Sequence, residues 1–132
     1  MKIGIDLGGT NIRVGQIDGN KLVNKISAPS PSDMALDESL NYIIDTIRKM
    51  MNKSIEGIGI GVPSVLDIGK GIVYNVANIP SWEEVHLREI LQTTFDIPVF
   101  INNDSNCFAL GVKRFGEGKP YPNMVGITLG TG

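Results

Sequence analysis

Three period-two runs, KIGID, NIRVGQID and KLVNKISAP, fill the start of the chain with only Leu7-Gly8-Gly9-Thr10 and Gly19-Asn20 between them. Alternation of this kind marks half-buried strands, and Asp-Gly is a strong hairpin signal. Connections this short permit only antiparallel neighbours, since a parallel crossover takes roughly a dozen residues or more. An antiparallel meander is therefore expected at the start of the sheet. The rest of the 132 residues makes one ordinary domain, or one domain and the beginning of another.

After the meander the pattern changes period. Ser30-Pro31-Ser32-Asp33 reads as a helix cap, and Leu36, Leu40, Ile43, Ile44, Ile47 and Met51 follow at helical spacing. IEGIGIGVP then alternates Ile58, Ile60 and Val62 with Gly57, Gly59 and Gly61, so one face of a strand packs and the other is bare. Close helix packing explains Gly57 and Gly59, while Gly61, at the strand end, is placed to border a pocket. GKGIVYNVANIPSW reads as loop with at most one short strand, and its Gly69-Lys70-Gly71 lacks the hydroxyl residue of a Walker A loop. Ser81 to Glu84 forms a second capping box before a helix with Leu87, Ile90, Leu91 and Phe95 inward, Trp82 packing at its entry. IPVFI suits a strand buried on both faces, and NNDSNCFALGVKRFGEG a cap cluster and a helix with Phe108, Val112 and Phe115 on one side, ended by Gly116 and Gly118. GKPYPN has linker composition, and MVGITLGTG opens a new strand, Met124 to Leu129, and a new glycine loop. The order predicts an α/β fold with a mixed sheet and helices on its faces.

Composition removes several classes of function. A net charge of −2 gives no bulk field for nucleic acid, and no apolar run approaches a bilayer span. One Cys and one His cannot build a zinc cluster. The start MKIGID lacks an export h-region, so a reducing cytoplasm is the expected setting.

Polar chemistry collects at three strand ends, where ligands gather in open α/β sheets. The first is Asp6 with Gly8, Gly9, Thr10 and Asn11. Gly8-Gly9 is either a permissive turn or a concave nest of N–H groups suited to phosphate oxygens, with Thr10 adding a hydroxyl. Asp6 either accepts hydrogen bonds from that turn or partners a Mg²⁺ through water, because a bare carboxylate would repel phosphate. The second is Asn102-Asn103-Asp104-Ser105-Asn106, which supplies more polar groups than a helix cap uses. An aspartate at a helix N-terminus is held ionised, which suits Asp104 to accept a proton from an attacking hydroxyl, with neighbouring amides fixing a polyol. Asn78 is a further candidate of that kind. The third, Gly130-Thr131-Gly132, repeats the first, and two such loops would clamp one polyphosphate.

IGIDLGGTNIRVG, GVPS, NVANIPSW, INNDSNCFALG and ITLGTG, in this order, resemble the ROK family (repressors, open reading frames and kinases), and within it the glucokinase-like sugar kinases. The resemblance covers this whole chain but only the first part of a family member. It implies an RNase H-like lobe of the actin-like ATPase and sugar kinase fold, with a mixed five-stranded sheet whose first three strands are antiparallel. Residues 1–119 would form the N-terminal lobe, and 120–132 a linker and the first strand of a second. The activity implied is transfer of the γ-phosphoryl group of ATP to a sugar hydroxyl with Mg²⁺. Asp104 matches the base, Asn103 and Asn78 sugar ligands, Gly61 the glycine bordering the sugar, and Asp6 the Mg²⁺-associated acid. Gly8 to Asn11 match the first phosphate loop and Gly130 to Gly132 the second. Ser64 replaces a frequent glycine, and Val112 follows Gly111 where an acid is common, which bears on sugar preference. The family's zinc cluster, its other sugar ligands and most of the adenine pocket lie beyond these residues. The isolated lobe would be inactive, with a frayed last strand and apolar surface favouring a homodimer or weak self-association.

A sugar-responsive regulator of the same family is the competing reading, although its helix-turn-helix precedes the first glycine motif and here the first strand starts at Lys2. An ATPase of another kind on this fold would explain the glycine turns but not Asn103-Asp104 with Asn78.

Overall fold

The computed structural model describes residues 1–129; Gly130, Thr131 and Gly132, the expected second phosphate loop, lie outside the described residues. The meander forms as β1 (Lys2–Leu7), β2 (Asn11–Asp18) and β3 (Lys21–Pro29), joined antiparallel with Asp6 opposite Arg13. Gly19 turns the second hairpin at a φ of 55°. Helix α1 (Leu36–Arg48) then returns the chain to β4 (Ile58–Val62), parallel to β1. After a three-stranded excursion, α2 (Leu87–Phe95) leads to the last sheet strand, which is parallel to β4. The five-stranded order is β3-β2-β1-β4-β8, with β8 spanning Val99–Asn103 and α3 Asp104–Phe115.

One sheet face is dry. Ile3, Ile5, Leu7, Ile12, Val14, Ile58, Ile60, Val62, Val99 and Ile101 point into one cluster with Ile43 and Ile47 of α1 and Leu87 and Leu91 of α2. Each such aliphatic side chain contributes about 1.5–3 kcal/mol on burial, which is why alternation fixes the register. The opposite face is open along Gly4, Gly15, Gly59 and Phe100, whose ring is 70% exposed, so β8 is not buried on both faces as its apolar run suggested. Helix packing does not account for Gly57 and Gly59, although Gly61 does border a cavity as expected. A Cβ on Gly59 would meet nothing and one on Gly57 only a loop carbonyl, whereas one on Gly61 would stand 3.4 Å from Cys107 Sγ and from Asp104 Cα of α3.

Both expected caps lie elsewhere. Helix α1 starts at Leu36, with the Ala35 N–H donating to Glu38 at 3.4 Å, because residues 30–35 are held by tertiary ties. The Ser30 N–H donates to the Thr10 carbonyl, and Ser81 donates its hydroxyl to the Met34 carbonyl. That contact removes Ser81 from capping. Glu84–Val85 is not helix but β7, the third strand of a small sheet with β5 (Val65–Asp67) and β6 (Ile72–Tyr74) where mostly loop was expected. His86 precedes α2 and is exposed between Glu84 and Glu89. Helix α3 ends at Gly116 as read, but none of its residues is buried and Phe108 and Phe115 are exposed. Met124–Leu129 forms no strand, since among the described residues it has no ladder partner.

The turn from β5 to β6 sets a sharp steric demand. Gly71 has a φ of 78°, and a Cβ there would lie 2.4 Å from the Cβ of Arg88, whose guanidinium donates to the Ile68 and Gly69 carbonyls. Gly71→Ala is expected to cost ~1–2 kcal/mol for the left-handed backbone and ~1–3 kcal/mol for the overlap. A urea midpoint equal to that of the parent chain would contradict this.

Candidate functional site

The parallel strands β1, β4 and β8 end together, and their register sets Asp6 opposite Gly61 and Gly61 opposite Asn102. Arg13 continues the row from β2. With no side chain at Gly61, the first turn of α3 settles onto the sheet between Asp6 and Asn102. Asp6, Gly61, Asp104, Cys107 and Phe108 surround a cavity of about 270 Å³ there. Cys107 is exposed at the surface, and partial desolvation, followed by the Asp104 and Asp6 carboxylates, pushes its thiol up from its ordinary value.

Asp6 accepts from Arg13 Nη1 through Oδ2 at 2.8 Å rather than from the glycine turn. Both side chains are about half exposed, so the pair is worth only ~0–1 kcal/mol and rearranges at little cost. It holds Oδ2, while Oδ1 accepts no hydrogen bond among the described residues. Among the described residues no cluster of three or more His, Cys, Asp and Glu could enclose a metal ion. A single open carboxylate oxygen fits Mg²⁺, which keeps several waters and takes one or two carboxylates with substrate phosphates.

The first glycine turn closes through the Gly8 N–H and the Asn11 carbonyl at 3.0 Å. A Cβ on Gly8 would stand 3.0 Å from that carbonyl, so tightness of closure accounts for this glycine. Neither Gly8 nor Gly9 takes a positive φ. Gly9 and Thr10 are exposed at the turn's tip, and Asn11 begins β2.

A larger cavity of about 770 Å³ opens beyond the strand ends, with Gly9, Asn78, Asn103 and Asp104 in its wall. Asn78 Nδ2 donates to the Gly8 carbonyl at 3.1 Å, tying the loop after β6 to the first glycine turn. Asn103 is the N-cap of α3, its Oδ1 accepting from Ser105 N at 3.0 Å and its Nδ2 donating to the Ser64 carbonyl at 3.3 Å. Asp104 opens the helix, with Oδ1 accepting from Ser105 N at 2.7 Å. The structure thus brings together Asn78, Asn103, Asp104 and Gly9, and sets Gly61 and Asp6 around the neighbouring small cavity that Asp104 shares. Ser64, read as a departure bearing on sugar preference, does line the larger wall, whereas sequence reading missed Asn75 there, although its φ of 46° is one that asparagine tolerates better than most residues. That reading placed Ser105 in the polar cluster but passed over Thr128, whose hydroxyl meets that of Ser105 at 2.8 Å.

No helix among the described residues is long and apolar enough to cross a membrane. The chain is 35% identical over 132 residues to a glucokinase of Thermotoga maritima, covering 98% of this chain and 42% of that one. It is likewise 35% identical to a xylose repressor of Caldicellulosiruptor bescii, over 98% of this chain and 34% of the repressor. In structure it is similar to a ROK family glucokinase of Streptomyces griseus in complex with glucose and AMPPNP, with a TM-score of 0.78 and 27% identity over 89% of this chain and 37% of that one. The fold is therefore the α/β, actin-like ATPase lobe of sugar kinases, and the chain spans less than half of these relatives. The model of the ROK family matches residues 2–132, and the chain belongs to that family.

Proposed function

We propose that residues 1–119 are the N-terminal lobe of an ATP-dependent hexose kinase, with residues 120–132 leading into a second lobe, working in the cytoplasm. The observation that carries this reading is the shared wall of the larger cavity: a carboxylate at a helix start, the amides of Asn75, Asn78 and Asn103, and Gly9 of the turn proposed for phosphate. A sugar hydroxyl held near Asp104 attacks the γ-phosphorus. A new P–O bond forms, the bond to the β–γ bridging oxygen breaks, the hydroxyl proton passes to Asp104, and ADP leaves. Asn78 and Asn103 orient the sugar, and Gly8 to Asn11 with Gly130 to Gly132 hold the phosphates. Mg²⁺, when bound beside Asp6, neutralises charge on the β- and γ-phosphates. The lobe alone holds half of such a cleft and is expected to be inactive.

The experiment is a panel of hexoses and N-acetylhexosamines with ATP and Mg²⁺ on a chain carrying both lobes, read as ADP release. Turnover of at least one sugar is the expected result. The likeness to a xylose repressor favours a second reading, a sugar-sensing regulator. Sugar binding by calorimetry with no turnover of any panel member would establish that reading instead.

A further inference from the structure

Asp104 is not held by the helix start alone. The Ser105 main-chain N–H lies 2.7 Å from Oδ1 of Asp104 and the Ser105 hydroxyl 3.4 Å from the same oxygen. The Ser105 hydroxyl also meets the Thr128 hydroxyl at 2.8 Å. An ionised carboxylate only accepts, and a hydroxyl donates one proton. The polarity that satisfies all three groups therefore runs from Thr128 to Ser105 to Asp104 Oδ1. Thr128 stands two residues before Gly130, in a segment with no strand partner among the described residues. This hydroxyl pair is thus a side-chain tie between that segment and α3.

We propose that Ser105 is a positioning residue. It holds Oδ1 of Asp104, leaves Oδ2 as the oxygen that takes the acceptor's proton, and links that carboxylate through Thr128 to the approach to the second glycine-threonine loop. The inference rests on the kinase reading for its catalytic meaning, but the coupling itself does not.

Two measurements separate those parts. In a chain carrying both lobes, Ser105→Ala and Thr128→Val are each expected to lower kcat about tenfold, the scale of one hydrogen bond to a charged group. The sugar KM stays within about twofold, because the groups that bind sugar are untouched. The double variant should be no slower than either single one, and Ser105→Thr should recover most of the loss by restoring the hydroxyl. Unchanged kcat, additive losses or a change confined to KM would overturn the proposal. Independently of activity, the ¹³C-methyl resonance of Thr128 in this chain should move on Asp104→Asn, and should cease to respond to that change when Ser105 is alanine. A response that persists without the Ser105 hydroxyl overturns the link. If no sugar is turned over, the kinase reading fails, and the methyl resonance still decides the coupling.

Discussion

Asp104→Asn in a chain carrying both lobes is expected to reduce turnover by about 10²–10⁴-fold while sugar affinity stays nearly unchanged. The substitution is close to isosteric, and asparagine keeps an acceptor for the Ser105 N–H that Asp104 Oδ1 now binds at 2.7 Å. The first turn of α3 therefore survives, because its cap belongs to Asn103, which also keeps its bond to the Ser64 carbonyl. The stability cost is confined to one negative charge at a helix N-terminus, ~0.3–1 kcal/mol. What is lost is an oxygen that can accept a proton as the sugar hydroxyl attacks. Steady-state kinetics and sugar calorimetry on one preparation check this together. Turnover equal to the parent's removes Asp104 from the role of base, and a parallel collapse of sugar affinity would make it a ligand instead.

Much of this site was legible because its signals are local. Alternation in KIGID and NIRVGQID fixed the meander, and Asp18-Gly19 marked a hairpin whose glycine takes a positive φ. Asn102 to Asn106 at a strand-to-helix junction announced a crowded polar turn, although the division of labour, Asn103 capping and Asp104 facing the cavity, needed coordinates. The misreadings share one cause: long-range contacts that outbid a local motif. Ser81 looks like a cap until the Met34 carbonyl claims its hydroxyl, and that same tie holds residues 30–35 out of α1. Gly57, Gly59 and Gly61 alternate alike in sequence, yet only Gly61 lies under α3, because the end of β4 sits beside the start of that helix. Ser105 and Thr128 are separated by 23 positions, and nothing local to either predicts their contact.

Trp82 shows the same principle with the largest structural consequence, and its replacement is the second expected result. It is fully buried, donates Nε1–H to Ser39 Oγ at 2.7 Å, and Ser39 in turn donates to the Leu36 carbonyl at 2.7 Å. The indole thus secures the first turn of α1 while anchoring residues 75–82, a loop closed by Val76 N to the Trp82 carbonyl, Ile79 N to the Val76 carbonyl and Trp82 N to the Ile79 carbonyl. That loop carries Asn75 and Asn78 to the cavity wall. Trp82→Ala should cost about 3–5 kcal/mol, a fifth or more of the roughly 5–15 kcal/mol that typically holds a domain together. Trp82→Phe keeps much of the ring volume and drops the donor, so it should cost less and divides packing from hydrogen bonding. Urea unfolding measures both, and an unchanged midpoint for Trp82→Ala would refute the anchoring. Because Asn78 reaches the first glycine turn through the Gly8 carbonyl, the loosened loop should also weaken sugar binding in Trp82→Ala while the Asp104 turn stays formed. The tryptophan then acts on affinity and Asp104 on turnover, a separation that kinetics on the two variants reads directly.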